Sequence, residues 1–199
     1  MMLTELTSVS SGALPVGAFR EHLRLGTGFA DDGAEDPLLE SLLRAAIAAV
    51  EGRTGKVLLT RSFLWTLTAW RDGDSQPLPV APVSALNAVA IVDREENSEV
   101  ISADLYFLTQ DTHRPHLTSA GSCLPGIALG GRAEITFDAG FGATWDAVPE
   151  DLAQAVFLLA GHYYEHRSEA SAGASAMPFG VSALLERWRT VRILGGAAT

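Results

Sequence analysis

One cysteine in 199 residues leaves no partner for an internal disulfide and no thiolate-rich zinc cage, so packing and hydrogen bonds must hold this chain together. Cys123 is expected to be a buried thiol. Basic residues are also scarce. Fourteen Lys and Arg stand against 24 Asp and Glu, a formal charge of −10, which argues against a protein that grips nucleic acid by neutralising its phosphates. The acidity itself keeps a protein soluble. No apolar run approaches the roughly 20 residues of a membrane-spanning helix, because Glu, Arg and His interrupt every helical candidate. Residues 1–5 lack the basic start and continuous apolar run of a secretory signal, so the expectation is a chain made and kept in the cytoplasm, with no membrane partner. No repeat and no low-complexity block is present.

What is there is an ordinary apolar fraction of 47%, enough for one sizeable core. The composition changes character three times rather than at one linker, which favours a single domain over residues 1–199. Residues 15–55 read as helical. Val16, Phe19 and Leu23 recur at helical spacing behind Pro15, a residue tolerated in a first turn. Asp36-Pro37 then suits an N-cap and first helical position, and Gly55 suits the stop of a long helix. Leu38, Leu39, Leu42, Leu43, Ala46, Ile47 and Val50 give that helix a wide apolar face.

Residues 56–142 change to short β-branched and aromatic runs separated by Pro, Gly, Asn and Asp, the signature of a β-rich antiparallel insertion. Strands are expected at residues 63–68, 86–92, 105–109 and 133–137, with loops at 71–74 and 94–97. Helical spacing returns at Pro149 with Leu152, Val156, Leu159 and Tyr163 on one stripe, and Glu150 and Asp151 suit the positive end of the helix dipole. A small-residue stretch, 168–176, ends this helix. A last helix is expected over 179–193, followed by a mobile tail, 194–199. The fold class is α+β: long and short helices bundled together, with the β-rich insertion between them.

The sharpest catalytic pattern is His162-Tyr163-Tyr164-Glu165-His166, which matches the His-x-x-Glu-His of inverted zinc peptidases. On a helix, His162 and His166 lie one turn apart with Glu165 placed as a general base. A third protein ligand is missing, since only Glu169 and Glu186 follow the motif. The expectation is that Tyr163 faces the core while His162, Glu165, His166 and Arg167 sit near a solvated face or a subunit contact. His113 and His116 near Ser122-Cys123 lack a nucleophile elbow and read as a surface turn. Asp31, Asp32, Glu35 and Asp36 lack the spacing of a calcium loop. Gly26-Thr27-Gly28 neither follows a strand nor carries a third glycine, so it is no nucleotide loop. No catalytic, cofactor or metal residue is therefore assigned. Trp65, Trp70, Trp145 and Trp188 are expected as core or interface anchors, and Trp188, between Arg187 and Arg189, as a subunit contact.

The order of these pieces resembles the phage head-tail connector (adaptor) family of tailed phages, prophages and gene transfer agents. The resemblance runs from about Pro15 to Arg189. Phe19-Arg20-Glu21-His22-Leu23-Arg24 is similar to the family's opening helix, and Ala45-Ala46 through Val50-Glu51-Gly52-Arg53-Thr54-Gly55 to its second helix and stop. Leu78-Pro79-Val80-Ala81-Pro82-Val83 is similar to its Pro-rich strand start, and Phe137-Asp138-Ala139-Gly140-Phe141-Gly142 to its Gly-aromatic-Gly turn. The Val148-Pro149 helix through Arg167 and the run from Pro178-Phe179-Gly180-Val181 to Leu184-Leu185 complete the set. The loop at 93–97 departs from the family in lacking an Asp-Gly turn, and 8–14 has no counterpart.

The resemblance implies a non-enzymatic ring of twelve subunits beneath the portal of a phage-like particle, joining the DNA-filled head to the tail. It implies two partners, the portal protein and a stopper or other tail component, and no cofactor. The acidity then gains a second meaning, a ring lining a channel through which DNA slides without sequence-specific binding. Trp188, Arg189, Val191, Arg192, Ile193 and Leu194 are the expected portal or subunit interface. The competing expectations are another tail-assembly or stopper protein, and a zinc hydrolase using His162, Glu165 and His166.

Overall fold

A computed structural model describes residues 1–25, 35–166 and 177–189. Four helices lie against one another: α1 (Val16–His22), α2 (Asp36–Thr54), α3 (Glu150–Glu165) and α4 (Phe179–Leu185). Of the stripe expected of α2, Leu39, Leu43, Ala46, Ile47 and Val50 are buried and face Leu152, Val156 and Leu159 of α3, Phe19 of α1 and Val181 and Leu185 of α4, whereas Leu42 is half-buried and Leu38, in the first turn, is exposed. Gly55 ends α2 in the left-handed conformation (φ 67°), where its N–H donates to the Glu51 carbonyl and no Cβ opposes the turn. The start of α2 lies one residue earlier than the sequence suggests: Glu35 caps, and Asp36 is already helical. α4 is shorter than the expected 179–193. It tightens into a 3-10 turn at Glu186–Trp188, and Arg189 is extended, while residues 190–193 lie outside the described residues.

The middle of the chain folds into two antiparallel sheets rather than one. Strands β1 (Met2–Glu5), β2 (Arg61–Leu67), β4 (Val83–Val92), β5 (Ser98–Val100) and β8 (Arg132–Ala139) form the first, in the order β1-β2-β8-β4-β5. Strands β3 (Ser75–Pro77), β6 (Tyr106–Thr109) and β7 (His116–Ser119) form the second, in the order β3-β7-β6. Period-2 alternation drives the central pair. Phe63, Trp65 and Leu67 of β2 pair with Phe137, Ile135 and Ala133 of β8, and all six side chains are buried on one face. With Val89 of β4 and Leu117 of β7 they form a second core, distinct from the helical one. Residues 57–59 divide the two: Val57 belongs to the sheet core, Leu58 and Leu59 to the helical core.

β1 lies outside the span expected to be β-rich, and brings residues from before α1 onto the sheet edge, with Leu3 opposite Trp65. The hairpin from β4 to β5 closes without glycine. Both oxygens of the Asp93 carboxylate accept from Asn97, one from its backbone N–H and one from its side-chain amide (2.8 Å each), and these bonds hold the carboxyl below the usual range. Glu96 takes the left-handed conformation (φ 67°) and is bound at both oxygens by Arg132. Cys123 is exposed, against expectation. It follows a turn in which the Ser119 hydroxyl donates to the Cys123 carbonyl (2.7 Å), which fixes the backbone and leaves the thiol outside.

Candidate interaction surfaces

Trp188 is seated by contacts distant in sequence. Its indole N–H donates to Asp151 Oδ2 (2.7 Å), and the same oxygen accepts from Arg187 Nε (2.7 Å). The Arg187 guanidinium lies over the indole at 4.8 Å, Phe141 meets it edge-on at 5.5 Å, and His113 approaches at 6.0 Å. The ring is 7% exposed. A side chain so engaged within its own chain anchors the last described turn to the start of α3 and offers little surface to a neighbour. Arg189 is the next residue out, exposed and paired with Glu186 at 3.1 Å. Val191, Arg192, Ile193 and Leu194 lie outside the described residues. Asp151 and Phe141 were not singled out by sequence as partners of Trp188, because they lie 37 and 47 positions away.

The zinc-like motif lies at the end of α3. His162 and His166 lie with ring centroids 4.2 Å apart and their planes tilted by 41°, and His166 Nδ1 lies 2.9 Å from the His162 backbone carbonyl. Glu165 is exposed and Tyr163 half-buried, its hydroxyl held above the usual value by partial burial. No group of three His, Cys, Asp or Glu that could hold a metal exists among the described residues, and Glu169 lies outside them. His162 Nε2 is buried without a hydrogen-bond partner among those residues. It lines a groove of about 420 Å³ between α1, α3 and α4, together with His22, Leu23, Arg24, Leu158 and Val181.

Elsewhere the candidates separate. His116 opens β7, whereas His113 lies in the loop before it, whose Asp111 Oδ1 accepts from the N–H groups of His113 and Arg114 (2.6 Å each). Asp31, Asp32 and Gly26-Thr27-Gly28 lie outside the described residues, as do 168–176. Trp65 is buried in the sheet core. Trp70 is half-buried and donates to the Pro125 carbonyl (2.6 Å), and Trp145 stacks on Phe157 at 5.7 Å. Among the exposed large apolar residues, Val100, Leu105 and Phe107 fall close together in sequence, at 70%, 52% and 50% exposed. The signal was the Leu105-Tyr106-Phe107-Leu108 run, which sequence alone assigns to a strand without telling its buried face from its open one.

Where α2 meets β2, Arg61 pairs with Glu51 at 2.6 Å and, more loosely, with Glu5 at 3.7 Å; Glu51 also accepts from the Leu58 N–H (2.8 Å). Burial pushes the Glu51 carboxyl up, outweighing the attraction of Arg61. These groups tie helix to sheet.

No protein-family model matches the chain, and no curated protein is significantly similar. Solved structures do match. A chain of the neck of an empty gene transfer agent particle, computed with C6 symmetry, is 59% identical over 98% of this chain and 99% of its own, with a TM-score of 0.89. A chain of the virion of a native gene transfer agent particle is 59% identical over the same shares, with a TM-score of 0.87. A chain of the native neck, computed with C12 symmetry, is 53% identical over 98% and 99%, with a TM-score of 0.83.

Proposed function

Because the chain belongs to the family of gene transfer agent neck proteins, we propose that it is the head-tail connector of such a particle, a structural ring beneath the portal. The observation that carries this reading is 59% identity along nearly the whole of both chains to a protein of a particle neck. The C6 and C12 symmetries of the related necks fit a ring of twelve copies. Modest contacts repeated around such a ring sum to a stable joint, and one chain closes a ring through head-to-tail, heterologous contacts.

The charge of −10 suits a passage for DNA, since an acidic wall repels phosphates instead of binding them. The portal protein is the partner on the head side, through Arg189 and residues 191–194. The stopper or another tail component is the partner on the tail side, with the Asp93–Asn97 turn as a candidate contact. The location is the head-tail joint of the particle, and assembly takes place in the bacterial cytoplasm. The role is mechanical and requires no cofactor.

The test is electron microscopy of the purified protein mixed with the portal protein from the same gene cluster. The expected result is portal rings bearing an extra symmetric layer, lost on deleting residues 191–199. Bare portal rings beside unbound protein would move the assignment to a later tail component. A layer that survives the deletion would move the portal contact elsewhere on the chain.

A further inference from the structure

A ring closed by one kind of chain needs two different surfaces that fit each other, one donated and one received at every joint. Two surfaces of this chain are complementary in character, one apolar and acidic, the other apolar with an exposed arginine. The first is a ridge. Val100 at the end of β5, Leu105 in the 3-10 turn Ala103–Leu105 and Phe107 on β6 are the exposed large apolar residues of one continuous eight-residue stretch. β6 is an edge strand, paired only with β7 among the described residues. The ridge is acidic throughout: Glu95, Glu96, Glu99, Asp104 and Asp111 fall within residues 95–111, which contain no Lys or Arg.

The second surface is the groove of about 420 Å³ between α1, α3 and α4. Leu23, Leu158, Pro178 and Val181 give it an apolar lining, and Phe179, 88% exposed, adjoins it. Its charged lining is Arg24 and Glu165, with the imidazoles of His22 and His162 beside them. In a chain of net charge −10, an apolar groove whose charged lining balances to zero stands apart from the acidic ridge. Arg24 is exposed and makes no ion pair among the described residues, and the buried His162 Nε2 has an unmet hydrogen bond there. Exposed apolar residues clustered in this way mark contact surfaces, an aromatic such as Phe107 is a common anchor, and charge complementarity fixes register and partner choice.

We propose that neighbouring copies in the ring join ridge to groove, with Phe107 and Leu105 of one copy seated on Leu158 of the next and Asp104 facing Arg24 across the joint. This inference rests on the ring reading above. It is tested on the full chain bound to its portal, with Cys123→Ser as background and cysteines introduced by Phe107→Cys and Leu158→Cys. Oxidation is expected to give a ladder of covalent oligomers up to the full ring, and Leu129→Cys with Leu158→Cys is expected to give none. Where the cysteine pair blocks assembly, charge reversal decides. Arg24→Glu and Asp104→Arg should each weaken assembly about tenfold, and their combination should restore it. A portal-bound layer that forms with neither ladder nor rescue overturns the ridge-to-groove joint and leaves the ring standing. Failure of the unmodified protein to form any layer overturns both.

Discussion

Replacing Asp151 with Ala removes one oxygen on which two donors converge, Trp188 Nε1 and Arg187 Nε, each at 2.7 Å. The indole is 7% exposed, so its N–H is left without an acceptor and out of reach of bulk water, a cost of about 1–3 kcal/mol. Arg187 is 70% exposed along its side chain, so solvent screening reduces its share to about 0–1 kcal/mol. Loss of an acid from the first turn of α3 adds about 0.3–1 kcal/mol through the helix dipole. The expected destabilisation is about 2–4 kcal/mol, a large part of the about 5–15 kcal/mol that holds a typical domain folded. Asp151→Asn keeps an acceptor oxygen and should cost about 1 kcal/mol. Trp188→Phe removes the donor and keeps a ring for Phe141 to pack on. In that background Asp151→Ala should lose about 1–2 kcal/mol less than it does alone, the coupling of a direct contact. Equilibrium urea unfolding followed by circular dichroism measures all four variants. An Asp151→Ala cost within about 0.5 kcal/mol, with no coupling to Trp188, would refute the reasoning. The indole would then be free for a neighbouring subunit, as its flanking arginines suggest from sequence.

Glu51 makes a prediction about pH. Its folded-state carboxyl is raised above 4.5 because burial outweighs Arg61, so its contribution to stability is present below the unfolded value and is lost as pH rises towards the folded one. The stability of the wild type minus that of Glu51→Gln should therefore fall with pH above about 4.5 in urea titrations, and a difference that grows would contradict the sign. Gly140 has φ 139°, and a Cβ there would meet the Thr60 backbone Cα and N at 2.5 Å. Gly140→Ala should cost about 2 kcal/mol or more, while Gly12→Ala, with open space around it, should change stability by about 0.5 kcal/mol at most; thermal unfolding separates them. Equimolar zinc should leave the Tm unchanged, since His166 Nδ1 already contacts the His162 carbonyl and no third ligand stands nearby among the described residues. A zinc-dependent rise abolished by His162→Ala would restore the hydrolase reading.

The parts of the fold legible in the sequence are those fixed by local periodicity. The α2 stripe ended by Gly55, the α3 stripe begun by Pro149 and the alternation of β2 and β8 all carry their period within a few residues. The four strands of three or four residues that went unread, β1, β3, β5 and β7, are too short for alternation to be distinctive. They exist because a longer neighbour templates them, as β2 does for β1. The division of the strands between two sheets is likewise a matter of long-range pairing, since β3 joins β7 across some 40 residues of chain that include β4 and β5 of the other sheet.

Function was legible in a different way. No single residue announced it, and the one motif with catalytic shape, at His162 and His166, is a helix end against a groove. For a protein that works by joining copies and partners, the informative quantity is which apolar residues the fold fails to bury. Composition cannot supply it, because a leucine destined for an interface and one destined for the core look alike until the chain is folded. Trp188 and Phe107 illustrate this. The tryptophan set between two arginines is covered by Asp151 and Phe141, while the phenylalanine in an apolar strand run is left half-exposed among acids. Burial within one copy thus takes the Trp188 indole out of the surface available for assembly and leaves Phe107, on the edge of the smaller sheet, within it.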